Sequence, residues 1–169
     1  NLLSLSLDDY FVNREDTPKN EDGSYDFESL QAVDVDLFNS QAERLLQGES
    51  VCLPHFDFIT GKRYYDTKKT TLSRDGILIV EGLHALNDKL VRYVSRERQY
   101  KVSVGVWTQL PVDELNRIST SDTRIIRRLI RDNRTRGRNP EVTLEAWDGV
   151  RRGEDINIYP YRQDADALF

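Results

Sequence analysis

The chain has 169 residues, with 24 Lys and Arg against 29 Asp and Glu, a net charge of −5, and 38% hydrophobic residues. This suits one compact domain with its own core and excludes a disordered chain, and the acidic balance argues against adhesion to nucleic acid by the whole surface. No apolar run approaches the ~18 residues that suggest a membrane span, and the start lacks the features of a signal peptide, so the sequence reads as cytoplasmic.

In chain order, Leu2, Leu3, Leu5 and Leu7 form an apolar run that stops at Asp8 and Asp9. That is the pattern of a buried strand delivering carboxylates to a surface. Residues 13–24, with Pro18 and Asp22-Gly23, read as a loop. A helix is predicted from about Ser29 to Gly48, with Leu30, Val33, Leu37, Leu45 and Leu46 along its stripe. Residues 51–70 form a predicted hairpin excursion, with Phe56, Phe58, Tyr64 and Tyr65 around Thr60-Gly61. Ile77–Val80, closed by Glu81-Gly82, reads as a parallel strand buried on both faces. Residues 85–93 are predicted helical, and 102–106 a strand.

Asp122 is the predicted cap of the next helix, which has Ile125, Ile126, Leu129 and Ile130 on one face and Arg124, Arg127, Arg128 and Arg131 on another. Gly137 and Pro140 end it. A further helix over about 144–151 and a final strand over 165–169 complete an α/β chain in a single domain. Cys52, the only cysteine, excludes an internal disulfide and reads as a small apolar residue. His55 and His84 lie far apart beside apolar segments and read as structural rather than as a metal pair.

Three features carry the chemistry: acids at the end of the first strand, an acid at the end of the second buried strand, and a helix crowded with arginine. Seven arginines fall between Arg124 and Arg138, opposed within that segment only by Asp132. Their mutual repulsion calls for an external anion, and phosphate matches the guanidinium fork. A carboxylate facing such a cluster is what phosphoryl transfer to a hydroxyl needs, because one group takes the acceptor's proton while cations stabilise the transferred oxygens. Asp8 or Asp9 supplies that carboxylate. Glu81, at a strand tip, has the placement of an acid that orients magnesium beside nucleotide phosphates.

Leu7-Asp8-Asp9-Tyr10-Phe11, Tyr25-Asp26-Phe27-Glu28, Pro54-His55-Phe56-Asp57-Phe58, Ile79-Val80-Glu81-Gly82 and the run from Asp122-Thr123-Arg124 to Arg136-Gly137-Arg138 occur in an order that resembles the phosphoribulokinase and uridine kinase family. The resemblance spans nearly the whole chain. It implies a P-loop kinase-like three-layer α/β fold with a mostly parallel sheet, an arginine-rich lid over about 124–140, and ATP-dependent phosphoryl transfer to a nucleoside 5′-hydroxyl with ATP and Mg2+. By the same resemblance Asp8 is the catalytic base, and Arg131 and Arg136 are lid arginines that close on the phosphates. Glu28 holds the ribose, Phe56 and Phe58 wall the nucleobase, Arg128 and Arg138 belong to the acceptor site, and Glu81 lies near magnesium.

Two departures stand out. Where the family tends to place a tyrosine and a histidine that hydrogen-bond a pyrimidine, this sequence has Phe56 and Gly61, and a glutamine expected near the end of the acceptor site appears as Ala146. The acceptor is therefore open to another nucleoside or to another small alcohol such as a sugar phosphate or pantothenate. The phosphate-cradling run G-x-x-x-x-G-K-[ST] occurs nowhere in the chain. The family places it ahead of residue 1, so the expectation is a chain that begins at the family's second strand and is inactive by itself. A noncatalytic nucleotide- or RNA-binding module is the competing reading, nucleic acid being the weaker partner, and homo-oligomer formation is left open.

Overall fold

The computed structural model describes residues 2–105, 110–114 and 117–169. Strand β1 (Leu2–Ser6) runs into a 3-10 turn, Leu7–Tyr10, and pairs in parallel with β6 (Ile77–Glu81), which sets Ser6 opposite Glu81. Between them come α1 (Val35–Leu46), then β2 (Ser50–Val51) paired antiparallel with β5 (Thr70–Thr71), and β3 (Pro54–Asp57) paired antiparallel with β4 (Lys62–Tyr65). These two short ladders are the predicted hairpin excursion. After β6 follow β7 (Val102–Ser103), the antiparallel pair β8 (Leu110–Pro111) and β9 (Arg117–Ile118), and helices α2 (Thr120–Thr135), α3 (Pro140–Glu145), α4 (Trp147–Asn157) and α5 (Tyr159–Arg162). Strand β10 (Ala167–Leu168) closes the chain in parallel with β7. Val106, the predicted end of the β7 strand, lies outside the described residues.

The core forms where α1 meets one face of β1 and β6. Leu5, Leu7 and Tyr10 pack with Phe38, Ala42, Leu45, Val51, Leu72 and Leu90, and Leu78 and Val80 lean on them from β6. Complete burial of a side chain such as Phe38 or Leu45 contributes about 1.5–3 kcal/mol. Asp34 caps α1 by accepting the Leu37 amide at 3.0 Å, so the helix starts later than Ser29, which instead caps the 3-10 turn Leu30–Ala32. The buried Tyr10 hydroxyl donates to Gln41 at 2.9 Å, and Gln41 donates to the Cys52 carbonyl at 3.0 Å. The turn after β1 is thereby tied to the helix and to the start of the hairpin.

Several expectations change. Strand β6 is buried on one face only, because alternate residues point away from α1 and leave Ile77 and Ile79 exposed. Residues 85–93 are successive turns rather than a helix. Asn87 accepts the Lys89 amide with its own side chain, and Asn39 of α1 takes the Leu90 carbonyl and the Arg92 amide, which draws this backbone away from helical pairing. Ser119, not Asp122, caps α2, its hydroxyl accepting the Asp122 amide at 3.0 Å. Pro140 begins a helix capped by Asn139, so the stretch after Gly137 folds as α3 and α4 instead of one helix over 144–151. Tyr159-Pro160 opens α5.

Helix α2 departs furthest from its sequence pattern. Ile126 and Ile130 are about half exposed, at 50% and 49%, while Asp132 is wholly buried. The inward side of this helix is organised around a charge.

Candidate active site

Asp8 and Asp9 share the turn at the end of β1 but face different partners. Asp9 accepts the Phe56 amide at 3.3 Å and lies 3.5 Å from His55, on the hairpin side. Asp8 is half exposed and faces α2, where Arg136 Nη2 donates to its Oδ2 at 2.9 Å. Of the two acids, Asp8 is thus the one the fold delivers to the arginines.

Arg136 also lies over the Phe58 ring, 4.2 Å from its centre, and Arg138 lies over Phe27 at 5.3 Å. Burial pulls both guanidinium pKa values down from their ordinary level, and for Arg136 the nearby Arg131 adds to that pull while Asp8 and Asp132 oppose it. Phe56 and Phe58 stand edge to face at 5.1 Å, and Phe11 touches both, at 5.6 and 6.1 Å. Phe11 also reaches Phe27 at 6.4 Å. The result is an aromatic wall with guanidinium groups along its rim, beside the Asp8 carboxylate. Phe11 and Phe27 belong to it although only Phe56 and Phe58 were expected, and the motifs that contain them were the available signal.

The hairpin tip is held by Arg14. Its amide donates to the Gly61 carbonyl at 2.9 Å and its guanidinium donates to the Phe58 carbonyl at 2.7 Å. Gly61 has φ +71°, and a Cβ there would come within 2.7 Å of Arg14 Nε. A side chain has no room at this position, because the space is filled by the arginine that shapes the wall. Gly61→Ala should cost about 1–2 kcal/mol of stability from backbone strain and the clash, read as a lower midpoint in urea unfolding. A midpoint equal to that of the parent chain would contradict the tight fit.

Beneath the rim sits Asp132. Its carboxylate has Arg128 and Arg131 at 3.5 Å and Arg136 at 3.8 Å, and Thr143 donates its hydroxyl to it at 3.4 Å. Its backbone carbonyl accepts the Arg136 and Arg138 amides, each at 3.1 Å. One buried acid therefore organises the end of α2 and its arginines. Arg128 reaches further to Glu28 at 3.4 Å. Burial raises the Glu28 pKa, against the opposing pull of Arg128, and Glu154 adds to the rise. Glu28 is fixed from behind by Asn157, which donates to its carbonyl at 2.9 Å, and by Gly153, where a Cβ would meet Glu28 Cβ at 2.6 Å. Arg124 pairs with the buried Glu154. The chain's own acids thus meet much of the charge that the sequence assigned to an external anion. Among the described residues, Arg127, Arg134 and Arg138 have no carboxylate partner.

Arg131 parts from Arg136. It lines an open groove of about 420 Å3 on the outer face of α2, with Ile126, Arg127, Ile130 and Arg134. Glu81 stands exposed at the end of β6, next to the β1 end that leads into Asp8, and makes no ion pair among the described residues. Asp8, Glu28, Phe56, Phe58, Arg128, Arg136 and Arg138 are joined by these contacts, Arg131 touches the group only through Asp132, and Glu81 makes no contact with it among the ion pairs of the described residues. Ala146 joins α3 to α4. No helix among the described residues is long and apolar enough to cross a membrane.

The parallel β1–β6 pair, with Asp8 after β1 facing the arginines of α2, belongs to an α/β fold of the P-loop kinase kind. Over 99% of its length the chain superposes on the structure of a "Possible Uridine Kinase" from Bacillus stearothermophilus, covering 71% of that chain with a TM-score of 0.52 at 16% identity, a likeness of fold. It is 29% identical over 166 residues to a uridine kinase of Deinococcus deserti (97% of this chain, 71% of the relative) and 30% identical over 168 residues to one of Bacillus pumilus (99% and 71%). It is also 30% identical over 170 residues to the uridine-cytidine kinase-like 1 protein of Mus musculus, covering 99% of this chain and 28% of that protein. Residues 3–169 match the Phosphoribulokinase / Uridine kinase family, and the chain belongs to that family.

Proposed function

We propose that the site transfers the γ-phosphoryl group of ATP to the 5′-hydroxyl of a nucleoside. The observation that carries this reading is the Asp8–Arg136 contact at 2.9 Å at the edge of the aromatic wall. A base and a phosphate-binding cation meet there, beside a surface on which a nucleobase can stack. Asp8 accepts the proton of the hydroxyl as its oxygen bonds to the γ-phosphorus, the bond to the bridging oxygen breaks, and ADP leaves with that electron pair. Arg136 leaves Asp8 when a phosphate competes for its guanidinium, so phosphate arrival uncovers the base. Arg131, on the outer side of α2, approaches the phosphates from the other flank. Glu28 and Arg128 hold the ribose, and Arg138 completes the acceptor rim.

Magnesium fits Glu81, an exposed carboxylate free of ion pairs among the described residues. Glu81 would hold the ion, directly or through water. The ion would neutralise charge on the nucleotide phosphates. The aromatic wall offers stacking with few hydrogen-bonding groups, so we propose that the acceptor is chosen by shape more than by base identity. These 169 residues contain no G-x-x-x-x-G-K-[ST] run, and we propose that alone they hold ATP weakly and turn over little.

The test is a phosphoryl-transfer assay with ATP and Mg2+ across uridine, cytidine, purine nucleosides, pantothenate and sugar phosphates. It is run on these residues and on a chain carrying the phosphate loop ahead of them, where the family has it. Transfer to nucleosides by the loop-bearing chain alone supports both parts of the reading. Transfer to pantothenate or a sugar phosphate instead, or salt-sensitive polyanion binding with no transfer, overturns it.

A further inference from the structure

His55 lies in the hairpin strand β3 between two carboxylates that come from different segments. Its Nδ1 is 3.5 Å from Asp9 Oδ1 and its Nε2 is 3.2 Å from Asp66 Oδ2. Asp9 adjoins Asp8 in the turn after β1, and the same Asp9 oxygen accepts the amide of Phe56. Asp66 directly follows β4, and its amide donates to the Leu53 carbonyl at 2.9 Å. Tyr64 packs on the imidazole, with ring centres 5.5 Å apart. Each ring nitrogen of His55 thus has a carboxylate oxygen within 3.5 Å.

We propose that His55 is a positioning residue of the phosphoryl-transfer site: the Asp9–His55–Asp66 chain holds the base of the hairpin, and with it Phe56 and Phe58, at a set distance from the turn that carries Asp8. The hairpin tip is held separately, by Arg14 on Gly61 and Phe58. A wall clamped at one end by Arg14 and at the other by His55 keeps its spacing to Asp8 without any side chain touching the reacting atoms. Loss of the tip clamp loosens the aromatic rings, whereas loss of the base clamp lets the whole hairpin move relative to Asp8.

The inference rests on the nucleoside-kinase reading for its kinetic part and on geometry alone for its physical part, so the two are tested separately. Amide hydrogen exchange on His55→Ala and Asp66→Ala should show faster exchange at Phe56, which donates to Asp9, while the amides of α1 keep their protection. In the loop-bearing chain, His55→Ala should raise the KM for the nucleoside about fivefold, the scale of one partly exposed ion-pair network, with the KM for ATP and the Tm unchanged. The double variant should match His55→Ala, because both changes open the same chain of contacts. Faster exchange together with a chain that phosphorylates no nucleoside keeps the clamp and removes the kinase reading. Unchanged exchange at Phe56, KM values for both substrates rising together, or additive effects in the double variant overturn the proposal.

Discussion

Asp8→Asn in the loop-bearing chain is expected to lower kcat about 10^3-fold, the scale of a lost general base, with the KM for the nucleoside changed less than about twofold. The amide keeps the size of the carboxylate and can still contact Arg136, so the fold and the acceptor wall survive the change. What it cannot do is take the proton from the attacking hydroxyl. Asp9→Asn makes the matching control, because Asp9 is engaged with the Phe56 amide and His55 rather than with the arginines. Its effect should fall on nucleoside KM instead of kcat. Steady-state kinetics of the two variants side by side decide the assignment, and equal losses of kcat would remove Asp8 from the role of base.

The second large effect is on stability. Asp132→Asn removes the one negative charge that Arg128, Arg131 and Arg136 share, at a position with no solvent exposure. Breaking a buried ion pair by deleting one partner costs about 3–5 kcal/mol, and the lower end applies here because Arg131 is 37% exposed and the distances are 3.5–3.8 Å. Urea unfolding should therefore show a loss of about 3 kcal/mol with little change in slope. The loss should be accompanied by weaker acceptor binding, because Arg128 and Arg136, which the Asp132 carboxylate holds, also reach Glu28 and Asp8. A loss below about 1 kcal/mol would place Asp132 among ordinary surface acids.

These two residues show where the sequence was legible. Asp8 stands at the abrupt end of an apolar run, the strand and the turn follow from local chemistry, and the side chain meets Arg136 at 2.9 Å, while its role as base is the proposal made above. The hairpin is likewise announced by its aromatics and its Thr60-Gly61 turn. Asp132 is different. A lone acid among arginines at i−4 and i+4 has the spacing of solvated surface pairs, and only the packing of α3 against α2, with Thr143 over the carboxylate, puts it inside.

The isoleucines fail for the converse reason. Ile125, Ile126, Leu129 and Ile130 have the period of a buried stripe, yet the inward direction of α2 is set by the ion pairs to Glu28, Asp8 and Glu154, and two of the four are turned out. Periodicity finds the helix and not which side a charge network claims. The Gly61 departure was visible as a letter but not as a reason, since it depends on Arg14, 47 positions earlier, filling the space. His55 is the same kind of case, because its two carboxylates are brought to it by separate segments and no local pattern signals them.

The most direct test of the account offers the loop-bearing chain γ-labelled ATP, Mg2+ and either uridine or 5′-deoxyuridine, with both nucleosides also titrated for binding. The account predicts that both bind, since the wall stacks on either base, and that label passes to uridine alone, at its 5′ oxygen. Label on 5′-deoxyuridine, or on a ribose 2′ or 3′ oxygen, would contradict the assignment of Asp8 and its arginines to the 5′-hydroxyl.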